Sequence, residues 1–201
     1  MFERPGGRTP SRIRGALVEV VTTVALAVAI FVPVTTFGAS TVSIEQRSMI
    51  DTLHPGDHLF VDKLTPRFDP YARGDIVIFH VNGETDTTPL IKRVIGLGGN
   101  HIEIRDGSVW VDGVRLNEPY AYVDPATGLT EPTEPMTNTW RWDVPDDHLF
   151  VLGDHRQAST DSRMPSVGMV DEDDVVGRAV WRYFPLSDFG PLWTPSYPDL
   201  D

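Results

Sequence analysis

The chain has 201 residues and a mass of 22.4 kDa, which suits one domain with appendages rather than two full domains. Its content of 40% hydrophobic and 23% charged residues allows an ordinary core and excludes a chain that is disordered throughout. The formal net charge of −12 disfavours a nucleic-acid-binding protein, and the absence of cysteine excludes disulfides, thiolate metal sites and cysteine nucleophiles.

The first predicted element is an apolar helix near the N-terminus. Residues 20–37 contain no charged side chain, and as a helix they would span about 27 Å, close to the ~30 Å hydrocarbon core of a bilayer. Four arginines lie in residues 1–14, whereas the chain after the run is strongly acidic. The positive-inside rule therefore predicts a cytoplasmic N-terminus over 1–15, a single transmembrane helix over 16–38 and an extracytoplasmic remainder.

Two other interpretations of this run are open from the sequence. A cleaved signal peptide has a shorter apolar region followed by small residues, and Gly38, Ala39 and Ser40 would suit its cleavage site. A buried core helix is disfavoured because the run is apolar on every face. The length of the run and the arginines before it favour an uncleaved anchor, in which Pro33 would introduce a kink.

After residue 40 the apolar period changes to two, which is typical of β-strands. The Asp-Gly pairs at 106–107 and 112–113 separate alternating runs and predict tight hairpins. Strands are predicted over 57–62, 74–79, 90–95, 101–105, 108–111, 114–116, 148–152 and 175–184. The prediction is an all-β domain over 39–188, with a small inserted subdomain at about 101–147 and a loose C-terminal tail over 189–201.

The sequence contains no convincing metal or cofactor motif. His54 and His58 are four residues apart, but Pro55 and Gly56 between them prevent a helix that would put both on one face. The acidic run 171–174 is more typical of a solvated turn than of a calcium loop, which needs spaced ligands. We therefore expect neither a metal nor a cofactor.

One of the rare lysines lies in an apolar strand. Only Lys63 and Lys92 among the 17 basic residues are lysines, and strand alternation puts Lys92 on the same face as Leu90 and Val94. A buried lysine, unlike an arginine, can lose its proton because desolvation lowers its pKa. A neutral lysine beside the Ser48 hydroxyl could act as its general base, and such pairs cleave amides without histidine. From position alone, a lysine that snorkels from an edge strand is the alternative.

Four separated motifs, in order, resemble those of type I signal peptidases, the serine–lysine endopeptidases that remove signal peptides. The motifs are SMIDTL at 48–53, RGDIVIF at 73–79, IKRVIGLGG at 91–99 and GDHRQASTDSR at 153–163. The resemblance covers about residues 15–188. It implies a catalytic domain of curled antiparallel β-sheets on a membrane anchor, related in its core to the repressor-type self-cleaving proteases.

The resemblance also implies roles for individual residues. Ser48 is expected to be the nucleophile and Lys92 the general base, with the Ser159 hydroxyl orienting the lysine amine. Asp161 and Arg163 are expected to form an ion pair that braces the last motif, and a surface pair of little energetic weight is the alternative.

Further expected roles concern the oxyanion and the substrate. The backbone N–H of Ser48 would donate to the oxyanion, and the amide of Gln46 is a second donor in place of the usual serine. Shallow apolar pockets that select small substrate residues would be lined by Val42, Ile44, Met49, Leu53, Leu59 and Ile91.

Departures from the family pattern leave competing functions open. Glu45, Gln46 and Arg47 replace the usual Pro-Ser-x before the nucleophile, and His155 replaces an asparagine. A catalytically impaired relative that binds exported peptides or a membrane partner would fit the first departure. A self-cleaving protein of the repressor type is disfavoured by the predicted anchor and by the lack of a DNA-binding half.

The expected partners follow from the same resemblance. They are exported preproteins with Ala-x-Ala-type cleavage sites, membrane lipid and the export channel, but no nucleic acid. The expected location is a bacterial cell membrane.

Overall fold

The computed structural model describes residues 10–33, 38–197 and 200, which fall into two compact units, Met1–Ala39 and Ser40–Asp201. In the first unit, helix α1 spans Pro10–Pro33. Pro10 occupies the first helical position, where its missing N–H is not needed. The helix thus begins earlier than the predicted span 16–38, and residues 34–37 of that span lie outside the described residues. No helix in the described part of the chain has both the length and the apolar character needed to cross a membrane.

The second unit is all-β, as predicted. Its strands are β1 (Ala39–Ser43), β2 (His58–Asp62), β3 (Ile76–Phe79), β4 (Leu90–Gly96), β5 (His101–Arg105), β6 (Ser108–Val111), β7 (Val114–Arg115), β8 (Val123–Asp124), β9 (Leu129–Thr130), β10 (Arg141–Asp143), β11 (His148–Leu152), β12 (Val170–Asp171), β13 (Val175–Phe184) and β14 (Gly190–Pro191). In the described residues after β1, the only helical segments are single turns of 3₁₀ helix.

The main sheet carries the candidate site. Its strand order is β1-β2-β13-β3-β4-β11-β12, and β14 pairs with β13. Strand β4 is central: Val77 of β3 pairs with Lys92 on one side, and Val151 of β11 pairs with Val94 on the other. Because β4 is buried from its second residue to its last, any side chain it carries is withdrawn from water.

A second sheet forms the inserted part of the chain, in the order β10-β5-β6-β7. Both predicted Asp-Gly turns connect strands of this sheet. Asp106, Gly107, Asp112 and Gly113 all have positive φ, between 49° and 82°. Two successive residues of positive φ are what a tight hairpin of type I′ requires, which is why Asp-Gly indicated these turns correctly. Strands β8 and β9 form a separate two-stranded hairpin.

Part of the segment 189–201, predicted as a loose tail, makes specific contacts with the rest of the second unit, at residues 190–191 and 197. Strand β14 pairs with Trp181 and Arg182 of β13. The Tyr197 side chain is buried, and its hydroxyl donates to the Tyr120 hydroxyl at 3.1 Å.

Candidate active site

Ser48 and Lys92, 44 residues apart in the chain, meet in the interior. Lys92 Nζ lies 2.8 Å from Ser48 Oγ and 2.8 Å from the carbonyl oxygen of Ile91. The exposed fraction is 1% for Lys92 and 4% for Ser48. The alternative of a snorkelling lysine on an edge strand is therefore wrong, since β4 has neighbours on both sides.

Burial changes the proton affinity of the Lys92 amine. Desolvation lowers the pKa of Lys92 from 10.5 to about 8, although the nearby Asp161 and Asp154 carboxylates act in the opposite direction. Near neutral pH a useful fraction of this amine is therefore uncharged and has a lone pair within hydrogen-bond distance of a hydroxyl. This arrangement can remove a proton from Ser48.

The loop over residues 153–163 closes over the Ser48 backbone. The His155 N–H donates to the Ser48 carbonyl oxygen at 3.0 Å. A Cβ built on Gly153 would lie 2.6 Å from the same oxygen and 2.3 Å from Ser159 Oγ. Only glycine allows this close approach of the two backbone segments.

Ser159 lies at the site but does not contact the lysine through a hydrogen bond. Its side chain is buried, and its Oγ has no hydrogen-bond partner within the described part of the chain. The structure thus brings the Ser159 hydroxyl next to Gly153 and leaves it unpaired.

Asp161 and Arg163 form an interior ion pair. Arg163 Nε donates to Asp161 Oδ1 at 2.8 Å and Nη2 donates to Oδ2 at 2.8 Å, with side chains 1% and 0% exposed. Asp161 also accepts from the Gly153 N–H at 3.1 Å. The alternative of a surface pair is wrong, because this pair is buried and connects the two ends of the 153–163 loop.

A second buried pair, Arg93 with Asp154, was not assigned a role from the sequence. Arg93 Nε lies 2.9 Å from Asp154 Oδ1, and Nη2 lies 2.7 Å from Oδ2. Arg93 also donates to the Gly74 carbonyl at 2.8 Å, and Thr52 Oγ1 donates to Asp154 at 2.5 Å. These contacts join all four motifs around Arg93, the residue next to Lys92. An arginine inside an apolar strand was a usable signal, since a buried guanidinium needs an acidic partner.

The expected pocket residues share one apolar cluster but differ in position. Val42, Ile44 and Ile91 line a cavity of about 310 Å³ between segments 42–46 and 88–91. Met49, Leu53 and Leu59 are 0% exposed and belong to the core beneath it.

Gln46 also lines this cavity, and its Nε2 donates to the carbonyl oxygen of Pro89 at 3.3 Å. The amide therefore bridges the two walls of the cavity in this structure.

A family model and the sequences of curated relatives identify one family. The family model of signal peptidase, peptidase S26, matches residues 17–184. A probable signal peptidase I-1 from Synechocystis is 38% identical over 151 residues, 72% of this chain and 71% of the relative. A signal peptidase I from Leptolyngbya laminosa is 34% identical over 188 residues, 89% of this chain and 85% of the relative. The crystal structure of a signal peptidase I from Enterococcus faecalis V583 is 31% identical, with a TM-score of 0.43, over 55% of this chain and 97% of that one.

Proposed function

Because this chain belongs to the signal peptidase family, peptidase S26, we propose that Ser48 and Lys92 are the dyad with which it cleaves preproteins. The activity is that of a type I signal peptidase, the hydrolysis of the bond between a signal peptide and the exported protein. The observation that supports the dyad is the 2.8 Å separation of a desolvated amine from a buried hydroxyl.

In the proposed mechanism, the neutral Lys92 amine takes the Ser48 hydroxyl proton as Oγ attacks the scissile carbonyl carbon. The backbone N–H of Ser48 donates to the oxyanion that forms. Collapse of the tetrahedral intermediate breaks the C–N bond, and the Lys92 ammonium protonates the leaving amine. Water then attacks the acyl-enzyme while Lys92 again accepts a proton, which releases the signal peptide and restores the Ser48 hydroxyl.

Three residues of the 153–163 loop have supporting roles in this proposal. The unpaired Ser159 hydroxyl is proposed to orient the Lys92 amine by a hydrogen bond when substrate is bound. The Asp161–Arg163 pair holds the loop against Gly153.

Gln46 is proposed as the second oxyanion donor. Its amide must first leave the Pro89 carbonyl, which becomes free to accept a backbone N–H of the substrate. Loss of such a donor typically lowers the rate ~10²–10³-fold.

The substrate is proposed to bind as an extended strand between segments 42–46 and 88–91. The apolar walls formed by Val42, Ile44 and Ile91 suit the small side chains of an Ala-x-Ala cleavage site. Main-chain hydrogen bonds would supply affinity, and the shallow cavity would supply selectivity.

Membrane attachment through the N-terminal segment, with the export channel nearby, belongs to the same proposal. Residues 20–37 are uncharged and follow four arginines. Within α1, the hydroxyls of Thr22 and Thr23 donate to the carbonyl oxygens of Val18 and Glu19, so the helix satisfies these polar groups itself. The expected location is a cell membrane with the β-domain on the outer side.

The catalytic proposal is tested by precursor processing. Purified protein in detergent is incubated with a preprotein carrying an Ala-x-Ala site, and shortening is followed on a gel. Ser48→Ala and Lys92→Ala are expected to abolish cleavage, whereas the matched changes Ser187→Ala, on the surface, and Lys63→Ala, at the other lysine, leave it intact. Cleavage by Ser48→Ala would refute the dyad, and binding without turnover in the wild type would indicate the impaired relative.

Membrane attachment is tested by flotation with phospholipid vesicles. The full chain is expected to float, and Val24→Glu with Leu26→Glu is expected to prevent this because each charge at a bilayer centre costs roughly 2.5–3.5 kcal/mol. Val24→Leu with Leu26→Val is the matched apolar control. Equal flotation of both double variants would contradict the anchor.

A further inference from the structure

The Ser48 carbonyl depends on the position of His155. The His155 N–H donates to this oxygen at 3.0 Å, and Gly153 packs directly against it. These contacts restrain the backbone rotation that sets the direction of the Ser48 side chain. A residue that fixes the position of His155 therefore also affects the position of the proposed nucleophile, even when that residue does not itself contact Ser48 or Lys92.

The His155 imidazole is held by two side chains at the base of the β8–β9 hairpin. The Tyr122 ring stacks on it, with ring centroids 4.1 Å apart and an interplanar angle of 26°. On its edge, His155 Nε2 lies 3.4 Å from Glu131 Oε1, and the two side chains are only 20% and 14% exposed. The other carboxylate oxygen of Glu131 accepts from the Gln157 N–H at 3.4 Å. One side chain thus holds the face of the ring, and the other holds its edge and the following backbone.

The base of the hairpin is itself hydrogen-bonded to the 153–163 loop of the same chain. The Tyr122 N–H donates to the Asp154 carbonyl at 3.0 Å, and the Glu131 N–H donates to the Tyr122 carbonyl at 3.0 Å. The backbone that carries the Tyr122 and Glu131 side chains is therefore already hydrogen-bonded to the 153–163 loop.

A buried ion pair adds to this anchor. Arg156 Nη2 lies 2.5 Å from Glu118 Oε1, and Arg156 Nη1 donates to the Thr133 hydroxyl. The Arg156 side chain is 1% exposed and the Glu118 side chain 11%, so salt screens this connection only weakly.

We infer that Tyr122 and Glu131 are positioning residues, which orient the Ser48 nucleophile by holding His155. This inference rests on the proposed function, in which Ser48 attacks the scissile carbonyl. Neither residue lines the cavity between segments 42–46 and 88–91, so their effect falls on the chemical step rather than on substrate binding. A misplacement of about 1 Å in such a site can lower the rate by ~10²-fold.

The test compares a disruptive and a conservative change at each position. Tyr122→Ala removes the stacked ring and is expected to lower kcat by about tenfold or more, with KM within about twofold. Tyr122→Phe keeps the ring and is expected to restore kcat to within about twofold of the wild type. Glu131→Ala is expected to lower kcat in the same way, and Glu131→Gln, which keeps one oxygen acceptor, is expected to retain most of it.

Controls separate positioning from folding. Leu129→Ala, at an exposed site of the same hairpin, is expected to show wild-type kcat and KM. The folded fraction of each variant is measured by its thermal transition, and kcat is expressed per folded molecule. The inference would be overturned if Tyr122→Ala left kcat unchanged or changed only KM. It would also be overturned if the fall in kcat were explained by unfolding, or if Tyr122→Phe showed the same fall in kcat.

The proposed function is checked separately with the wild type. If the wild type does not shorten a preprotein, the proposed function fails and this inference fails with it. If the wild type is active and Tyr122→Ala is equally active, only the inference fails.

Discussion

At the scale of single residues, the environment of Lys92 makes a prediction about pH. Burial lowers the pKa of Lys92 to about 8, and only the deprotonated amine can accept the Ser48 proton. The kcat/KM of preprotein cleavage, which reports the free enzyme, is therefore expected to rise with pH through an apparent pKa of about 8 and to level off above it. Initial rates between roughly pH 6 and pH 10 measure this profile.

Lys92→Arg is the matched variant for the pH profile. It keeps a positive charge but cannot lose its proton in this range, so it is expected to be inactive at every pH tested. A flat profile in the wild type, or cleavage by Lys92→Arg, would contradict the role of Lys92 as the base.

The same burial predicts that Lys92 lowers the stability of the fold. At neutral pH the Lys92 amine is protonated in the unfolded chain. A pKa lowered from 10.5 to about 8 means that burying the protonated amine on folding costs free energy. The corresponding free energy is about 3 kcal/mol, reduced by the two hydrogen bonds that Nζ makes. Lys92→Met is therefore expected to raise the free energy of unfolding at pH 7 by about 1 kcal/mol while abolishing cleavage.

The sign of this effect with pH follows from linkage. Between pH 8 and pH 10.5 the unfolded chain holds a proton at Lys92 that the folded chain has lost, so wild-type stability gains with rising pH. The advantage of Lys92→Met is expected to shrink across this window in urea titrations. An advantage that grows with pH would contradict the lowered pKa of Lys92.

At the scale of elements, the Arg93–Asp154 pair connects β4 to the loop after β11. Both side chains are 0% exposed, so removing the carboxylate would leave a buried guanidinium without its partner. Asp154→Asn is expected to lower the free energy of unfolding by roughly 3–5 kcal/mol. Glu103→Gln, which breaks the exposed pair with Arg141, is the matched control and is expected to change stability by less than about 1 kcal/mol. Chemical denaturation measures both, and equal effects would contradict a special role for the buried pair.

Local patterns predicted some strands and missed others. Strands β2, β3, β4, β11 and β13 were predicted because each carries its own β-branched or alternating run between turn residues. Strands β8, β9, β12 and β14 have two residues each and no pattern of their own. They exist because a neighbouring strand supplies hydrogen-bond partners, which a local window of sequence does not contain.

At the scale of the whole molecule, the proposed chemistry predicts independence from metal ions. The proposed nucleophile and the proposed base are both side chains, and within the described ranges no group of three His, Asp or Glu side chains is placed to hold a metal. Prolonged dialysis against a chelator is expected to leave the cleavage rate unchanged. A loss of activity that added zinc or another divalent ion restores would contradict the dyad mechanism.

The sequence by itself determined the all-β class, the two Asp-Gly hairpins and the family, because periodicity, turn residues and motif order are properties of short stretches of chain. The roles of Ser48 and Lys92 stay predictions that the proposed variants test, and the roles of Ser159 and Gln46 also stay predictions. The family resemblance led us to expect Ser48 with Lys92 and Asp161 with Arg163, but only the tertiary structure decided their distances and burial. It places Lys92 2.8 Å from Ser48, buries the Asp161–Arg163 pair and directs the Gln46 amide to Pro89. Such distances and the loss of water around a charge arise when remote strands pack together, so no local pattern encodes them.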